Sequence, residues 1–283
     1  MTCSAVTLSI ATIAAVVAVS CLAIAFGTDN WYEIRVNRNR TKERIGDNKE
    51  YLEDFETDPI YFDRDEGLFR VCFPNGKPKR VPTYMSPVQT ECINVNYHIP
   101  EGQETKDFDQ NQWTRLHMSR STVGLFIVGF FFIFLSFFTG VTGCWKRSHA
   151  TIVATGLLQL MAALVTAGAM GLWHGVQHYE YVKRNDRDSF SRWPEFLKSR
   201  SVTEFYYGWS YILAWIGVGM TLMTSILFLS AARCLRHEKD EEQAKNMQYL
   251  MPVYPDKRQP YGYGYGYPGP YYYHGSQYGP YSY

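Results

Sequence analysis

The chain has 283 residues, a formal net charge of +1, and 16% aromatic side chains. Near-neutral charge, with no basic stripe interleaved with aromatics, excludes a nucleic-acid-binding class. Four long apolar runs free of Asp, Glu, Lys, Arg and His exclude an ordinary soluble core, because about 20 apolar residues suffice to cross about 30 Å of hydrocarbon. In chain order they are AVTLSIATIAAVVAVSCLAIAFG (5–27), TVGLFIVGFFFIFLSFFTGVTGCW (122–145), TIVATGLLQLMAALVTAGAMGLW (151–173) and YYGWSYILAWIGVGMTLMTSILFLSAA (206–232). Each is expected to span a membrane. The first carries a cleavage-like Ala23-Ile24-Ala25, but it is longer than the usual 7–15-residue signal core and no basic residue precedes it, so it is expected to be retained.

Between the runs lie a short N-terminal segment (1–4), a long polar loop (28–121), a tight connection (146–150), a second polar loop (174–205) and a tail (233–283). Four spans place both loops on one side of the membrane. The two terminal segments and the tight connection share the other side.

Charge does not settle which side is cytoplasmic. Lys146, Arg147, Arg233, Arg236 and Lys239 favour the cytoplasm for the tight connection and the start of the tail. Loop 174–205 opposes that with six basic residues, among them Lys183, Arg184 and Arg187, beside five acidic ones. Two other features favour loops outside the cell. Asn39-Arg40-Thr41 is the chain's only N-glycosylation sequon. Cys72 and Cys92 are the only cysteines of either loop, and an even pair in an oxidising compartment reads as a bridge; free cytosolic thiols are the alternative.

Around the two cysteines the pattern has period two. Phe69, Val71 and Phe73 alternate with Leu68, Arg70 and Cys72. Ile93, Val95, Tyr97 and Ile99 alternate with Cys92, Asn94, Asn96 and His98. Half-buried strands follow, with both sulfurs opposite the apolar set and Phe73-Pro74-Asn75-Gly76 supplying a turn between them.

These residues carry a resemblance. Trp31 follows the first span, Gly67-Leu68-Phe69 precedes Cys72 and Cys92, and Tyr207-Gly208-Trp209-Ser210-Tyr211 opens the fourth span. This order resembles the claudin superfamily, whose first-loop signature is a Trp, then Gly-Leu-Trp, then two cysteines; Phe69 replaces the second Trp. The resemblance implies a membrane α-helical fold, a four-transmembrane left-handed helix bundle with a small extracellular antiparallel β-sheet drawn from both loops, and Cys72–Cys92 as the sheet's bridge. It also implies a non-enzymatic role. One class is a component of occluding cell–cell junctions, which supports adhesion and the paracellular barrier and binds other claudin-like proteins in cis or in trans. The alternative is a γ-subunit-like auxiliary protein of a calcium-channel or glutamate-receptor pore subunit.

Further along the chain, Ala163, Ala167, Gly171 and Gly175 recur every fourth residue, the spacing that permits close helix approach in lipid. Cys144 and Cys234, at the expected cytoplasmic ends of spans two and four, are candidates for S-palmitoylation, with Cys3 a weaker third. His174 and His178 share a helix face, but no third metal ligand is apparent nearby, and neither metal nor cofactor is expected. The tail (233–283) reads as disordered, its last 23 residues holding ten tyrosines among Gly and Pro. Tyr281 and Tyr283 make the end a candidate PDZ ligand. No nucleophile elbow, phosphate loop or zinc-protease motif occurs, and no charged residue lies within a span, which argues against enzyme, pump and carrier.

Overall fold

The computed structural model describes residues 3–46, 49–79, 81–98, 110–179 and 194–250. Four helices are long and apolar enough to cross a membrane: α1 (Cys3–Gly27), α4 (Gln110–Lys146), α5 (His149–Gln177) and α6 (Trp209–Leu250). Their apolar stretches coincide with the four runs, but all four helices outrun the expected boundaries, α4 and α6 by far the most. Helix α4 begins twelve residues before Thr122, within the segment expected as loop. QNQWTRLHMSRS is polar, yet it contains no Pro or Gly to interrupt a helix entering from the membrane. Helix α6 corrects the expected disordered tail over 233–250, because Arg233–Leu250 continues the fourth span. Its RCLRHEKDEEQAK stretch is built from good helix formers. Residues 251–283, with Tyr281 and Tyr283, lie outside the described residues.

Glycines let the spans approach. A Cβ on Gly156 of α5 would meet Leu229 of α6, and one on Gly217 of α6 would meet Leu22 of α1. On α4, Gly129 takes the methyl of Thr166 from α5. The every-fourth-residue stripe of α5 does not act as one interface. Ala163 is buried, whereas Gly171 faces open space and Gly175 takes the Met118 methyl. Two buried polar groups pair between spans, Ser225 donating to the Gly156 carbonyl and Gln159 Nε2 to Ser136 Oγ, both at 2.8 Å, whereas Trp173 Nε1 and the Gln177 amide on α5 are buried without a hydrogen-bond partner among the described residues.

Both polar loops contribute to one antiparallel six-stranded sheet, in the order β4-β5-β3-β2-β1-β6. Its strands are β1 (Tyr32–Val36), β2 (Arg64–Glu66), β3 (Arg70–Phe73), β4 (Tyr84–Met85), β5 (Glu91–Asn94) and β6 (Thr203–Tyr207). The β1–β6 pairing, from Tyr32↔Tyr207 to Val36↔Thr203, joins the two loops, so they do share one side. Cys72 and Cys92 stand directly opposite on β3 and β5 and form a disulfide. The expected hairpin is corrected in connectivity. The Pro74-Asn75-Gly76 turn leads away from β3, and β5 forms its hairpin with β4, so β3 and β5 are joined by a long excursion. The strand pattern also stops at Asn94 rather than Ile99, although Val95 N–H still donates to the Phe69 carbonyl.

Two short helices between β1 and β2, α2 (Arg38–Ile45) and α3 (Lys49–Thr57), cover one sheet face. The Asn37 side chain caps α2 by accepting from Arg40 N–H, satisfying one of the donors a helix start leaves free. Ile45, Phe55, Tyr61 and Phe62 pack with Ile34, Val36 and Phe73 as a second core, with Val71 and Ile93 against it. The Arg38 guanidinium lies 4.3 Å from the Phe55 ring centre and 4.1 Å from that of Phe62. The apolar set of the alternation thus has its own core, as period two requires.

Candidate functional site

The feature the sequence singled out is a platform at the junction of sheet and spans. Trp31 is its pivot. The side chain is fully buried, its indole N–H donates to the Ala25 carbonyl at 2.8 Å, and its ring meets Phe126, Trp173 and Tyr211 edge-on. It therefore ties the first strand to three spans at once.

The Gly67-Leu68-Phe69 turn closes the same junction. A Cβ on Gly67 would sit 2.6 Å from Asp29 Cα, so only glycine lets the turn lie on the end of α1. Leu68 is buried in the bundle core and its carbonyl accepts from the Tyr97 hydroxyl. Phe69 packs edge-on against Phe26, with ring centres 5.0 Å apart, and remains partly exposed.

Other residues of the junction were not legible beforehand. Arg70 grips Asp29 through two bonds, Nε to Oδ1 and Nη2 to Oδ2, each 2.8 Å. Asn30 links loop one to span four. Its carbonyl accepts from Ser210 N–H and its Oδ1 from Trp209 N–H, while Gly208 N–H donates to the Trp31 carbonyl. A Cβ on Gly208 would collide with the Asn30 carbonyl, which gives the glycine of the Tyr-Gly-Trp segment its physical reason. His174 is engaged in the same region: Nε2 lies 2.7 Å from the Tyr211 hydroxyl, and Tyr207 stacks on Tyr211 at 4.5 Å. His178 sits at the end of α5 beside Tyr179, 6.0 Å between ring centres.

On the sheet, Arg35 bonds Asp65 at 2.6 Å and Glu33 at 2.9 Å. Burial pushes the Asp65 carboxyl above the usual range, outweighing the opposing Arg35 hydrogen bond and charge; Asp29 is raised in the same way against Arg70. A carboxyl raised on folding binds more protons when folded. The stability it contributes is full below the unfolded value of about 3.9 and is lost as pH rises through the raised value. Wild type should therefore gain thermal stability relative to Asp65→Asn as the pH falls from neutral toward about 4. Melting of the two purified proteins across that range checks the sign, and a wild-type deficit that grows with acid would refute it.

Strand directions fix what the platform presents. Strand β1 leaves α1 and β6 enters α6, so their Tyr32 and Tyr207 ends lie at the bundle. Strand β5 runs toward the bundle, with Asn94 opposite Arg70 and Glu91 opposite Phe73. The β4–β5 turn (86–90) consequently sits at the far end of the sheet. It exposes Met85 by 61% and Val88 by 74%, apolar surface standing clear of the spans. Asn39 is exposed on α2. Cys144 is a free, half-buried thiol, whereas Cys234 is disulfide-bonded and leaves the set of thiols open to acylation. The side chain of Cys3 lies outside the described residues.

Residues 16–230 match a family model described as PMP-22/EMP/MP20/Claudin tight junction. The matched stretch takes in Trp31, the Gly67-Leu68-Phe69 turn, both bridging cysteines, and the Gly208–Trp209 contact with Asn30.

Proposed function

We infer a junctional role from one premise: the chain belongs to the PMP-22/EMP/MP20/claudin tight-junction family. It is a four-span, claudin-like membrane protein, and the role proposed for it is that of a component of occluding, septate- or tight-type contacts between cells. The observation that carries this reading is the far hairpin. A bridged sheet, keyed to three spans through Trp31, carries exposed Met85 and Val88 at the end away from the bundle. Isolated exposed apolar side chains are ordinary, but two at the tip of a braced sheet suit apposition to another protein. The sheet is taken to face outside the cell and both termini the cytoplasm.

Tracer flux tests the role. Met85→Ser combined with Val88→Ser should raise paracellular tracer leakage across an epithelial monolayer, while the protein still reaches lateral borders. Unchanged flux would sink the junctional reading. Sidedness has its own test. Glycosidase should increase the mobility of wild type and leave Asn39→Gln unmoved; no shift in either would remove the support for an outside sheet.

The second reading is a channel- or receptor-auxiliary protein. Gly171 favours it, because it leaves open space on the outward side of α5 where a lateral partner's span could approach closely. Co-expression with candidate pore subunits should then change their currents, and Gly171→Leu should abolish that change. A cytoplasmic PDZ scaffold at Tyr281 and Tyr283 belongs to either reading.

A further inference from the structure

Five of the ten residues in RVNRNRTKER (35–44) are basic, a density that makes an anion-binding surface where the charges are left uncompensated. Some of them are answered by carboxylates: Arg35 by Asp65 and Glu33, and Arg38 by Glu56. Arg40 and Arg44 are not. They stand four residues apart on one face of α2. Both turn to Ser201 of the second loop, Arg40 Nη1 donating to its carbonyl at 3.0 Å and Arg44 Nη2 to its hydroxyl at 3.3 Å. Neither forms an ion pair among the described residues, and neither does Arg200, exposed and next to Ser201 in the chain. Glu43, three residues from Arg40, pairs with none of them. Two guanidiniums drawn together on a neutral residue repel one another, and an anion accepting from both relieves that repulsion.

The pair borders a polar recess of about 330 Å³ lined by Arg35, Asn37, Arg40, Asp63, Ser201 and Glu204. Its chemistry has both signs. Asp63 holds Val36 N–H and Asn75 Nδ2, and Glu204 holds the Tyr206 hydroxyl, so both carboxylates keep lone pairs for further donors. A sulfated sugar supplies both complements, sulfate oxygens for guanidinium and hydroxyls for carboxylate. An acidic peptide supplies carboxylates alone, which Asp63 and Glu204 repel. Lipid headgroups lie too low. Val36 and Thr203 are four residues along their strands from Tyr32 and Tyr207 at the bundle, about 14 Å at about 3.4 Å per residue. Headgroups extend only about 5–8 Å beyond the hydrocarbon. On α2, Asn39 lies about 100° round from Arg40 and further from Arg44, so a glycan there leaves their shared face open.

We propose that Arg40 and Arg44, with the recess beside them, bind a sulfated glycosaminoglycan chain. The inference rests on the outside placement of the sheet proposed above, because such chains are extracellular. Arg40 and Arg44 take a sulfate group between them, and the recess takes the hydroxyls of the adjoining sugar. Both polar loops build the site, α2 giving the guanidiniums and the second loop giving Ser201 and Glu204.

The test uses purified full-length protein in detergent and a fluorescent heparin decasaccharide. Binding is expected to wild type and should weaken as salt rises. Arg40→Gln combined with Arg44→Gln should weaken it about tenfold, as loss of two exposed charge contacts does. Arg233→Gln combined with Arg236→Gln removes equal charge from exposed positions on α6 and should leave it unchanged. On wild type, unsulfated heparosan and polyglutamate of matching length should fail to compete, a result that does not depend on how any variant folds. Absence of heparin binding, an equal loss in the α6 variant, or competition by polyglutamate or heparosan as effective as heparin's overturns the proposal and leaves the glycosidase test of sidedness standing. On intact cells the same probe should bind more to cells expressing wild type than to cells expressing the α2 variant. Binding to purified protein with no gain on cells overturns the extracellular role, and an unglycosylated Asn39 in those cells overturns the outside placement with it.

Discussion

Replacing Trp31 with Ala should cost about 3–5 kcal/mol, as loss of a large buried aromatic side chain does. Native stabilities of about 5–15 kcal/mol leave little margin against such a loss. The expectation follows from where the ring sits rather than from its area alone. Phe126 of α4, Trp173 of α5 and Tyr211 of α6 all rest against it, and its N–H holds the last turn of α1. No nearby side chain can collapse into the gap without uncoupling the sheet from a span. The variant should be retained inside the cell with immature glycans, and in detergent its melting midpoint should fall sharply. Trp31→Phe keeps ring contacts and loses the hydrogen bond to Ala25, so an additional penalty of about 1 kcal/mol on top of the reduced area is expected. Normal surface delivery and an unchanged midpoint for Trp31→Ala would refute the pivot role.

The second large effect concerns the bridge. Cys72 and Cys92 enclose about 20 residues, and opening a loop of that size should destabilise the sheet by about 3 kcal/mol on the chain-entropy account. Cys72→Ala combined with Cys92→Ala should lower the denaturant midpoint. Mild reduction of wild type should move it to the same place, and reduction should leave the double variant where it is. The loss is expected to be large because the other ties on the excursion between β3 and β5 are few: Lys79 N–H donates to the Glu56 carbonyl at 3.0 Å, and Asn75 Nδ2 donates to Asp63 Oδ2 at 2.8 Å on the exposed surface. Strand β4 contributes two residues, and Lys77 to Glu91 is an exposed ion pair of the kind that adds about 0–1 kcal/mol. A double variant as stable as wild type would show that the strand ladder suffices alone.

Much of this was legible in the sequence because the membrane imposes a simple code. Twenty uncharged apolar residues can satisfy their backbone only as helix, and all four runs did so. The ends of the helices were harder to read, since hydropathy marks where lipid stops and not where helix stops. Gln110–Arg120 and Arg233–Leu250 are polar and still helical. The alternation at 68–73 and 92–99 identified two strands, the second longer than the one that forms, but their partners depended on β4, whose two residues carry no period. Strands β1 and β6 escaped for a related reason: five residues each, half polar, stabilised by pairing between segments far apart in the sequence, as Tyr32 with Tyr207 and Val36 with Thr203. The platform was legible as Trp31 and Gly67-Leu68-Phe69 through a known order of residues. Asp29, Asn30 and Arg70 were not, because their meaning lies in a carboxylate meeting a guanidinium and a carbonyl meeting Gly208, neither of which leaves a local pattern.

The position of the bridge also bears on how the molecule would carry tension. A pull on Met85 and Val88 from an apposed surface enters the sheet at β5, the strand whose far end it shares. Strands sliding past one another load their hydrogen bonds in shear, and the first slip in this sheet would be β5 along β3. The Cys72–Cys92 bond crosses that seam, so a covalent link takes the load there and passes it through β3 and β2 to β1 and Trp31. Single-molecule extension from the hairpin tip should accordingly break the sheet at markedly lower force under reducing conditions, and equal forces in both conditions would remove the bridge from the load path.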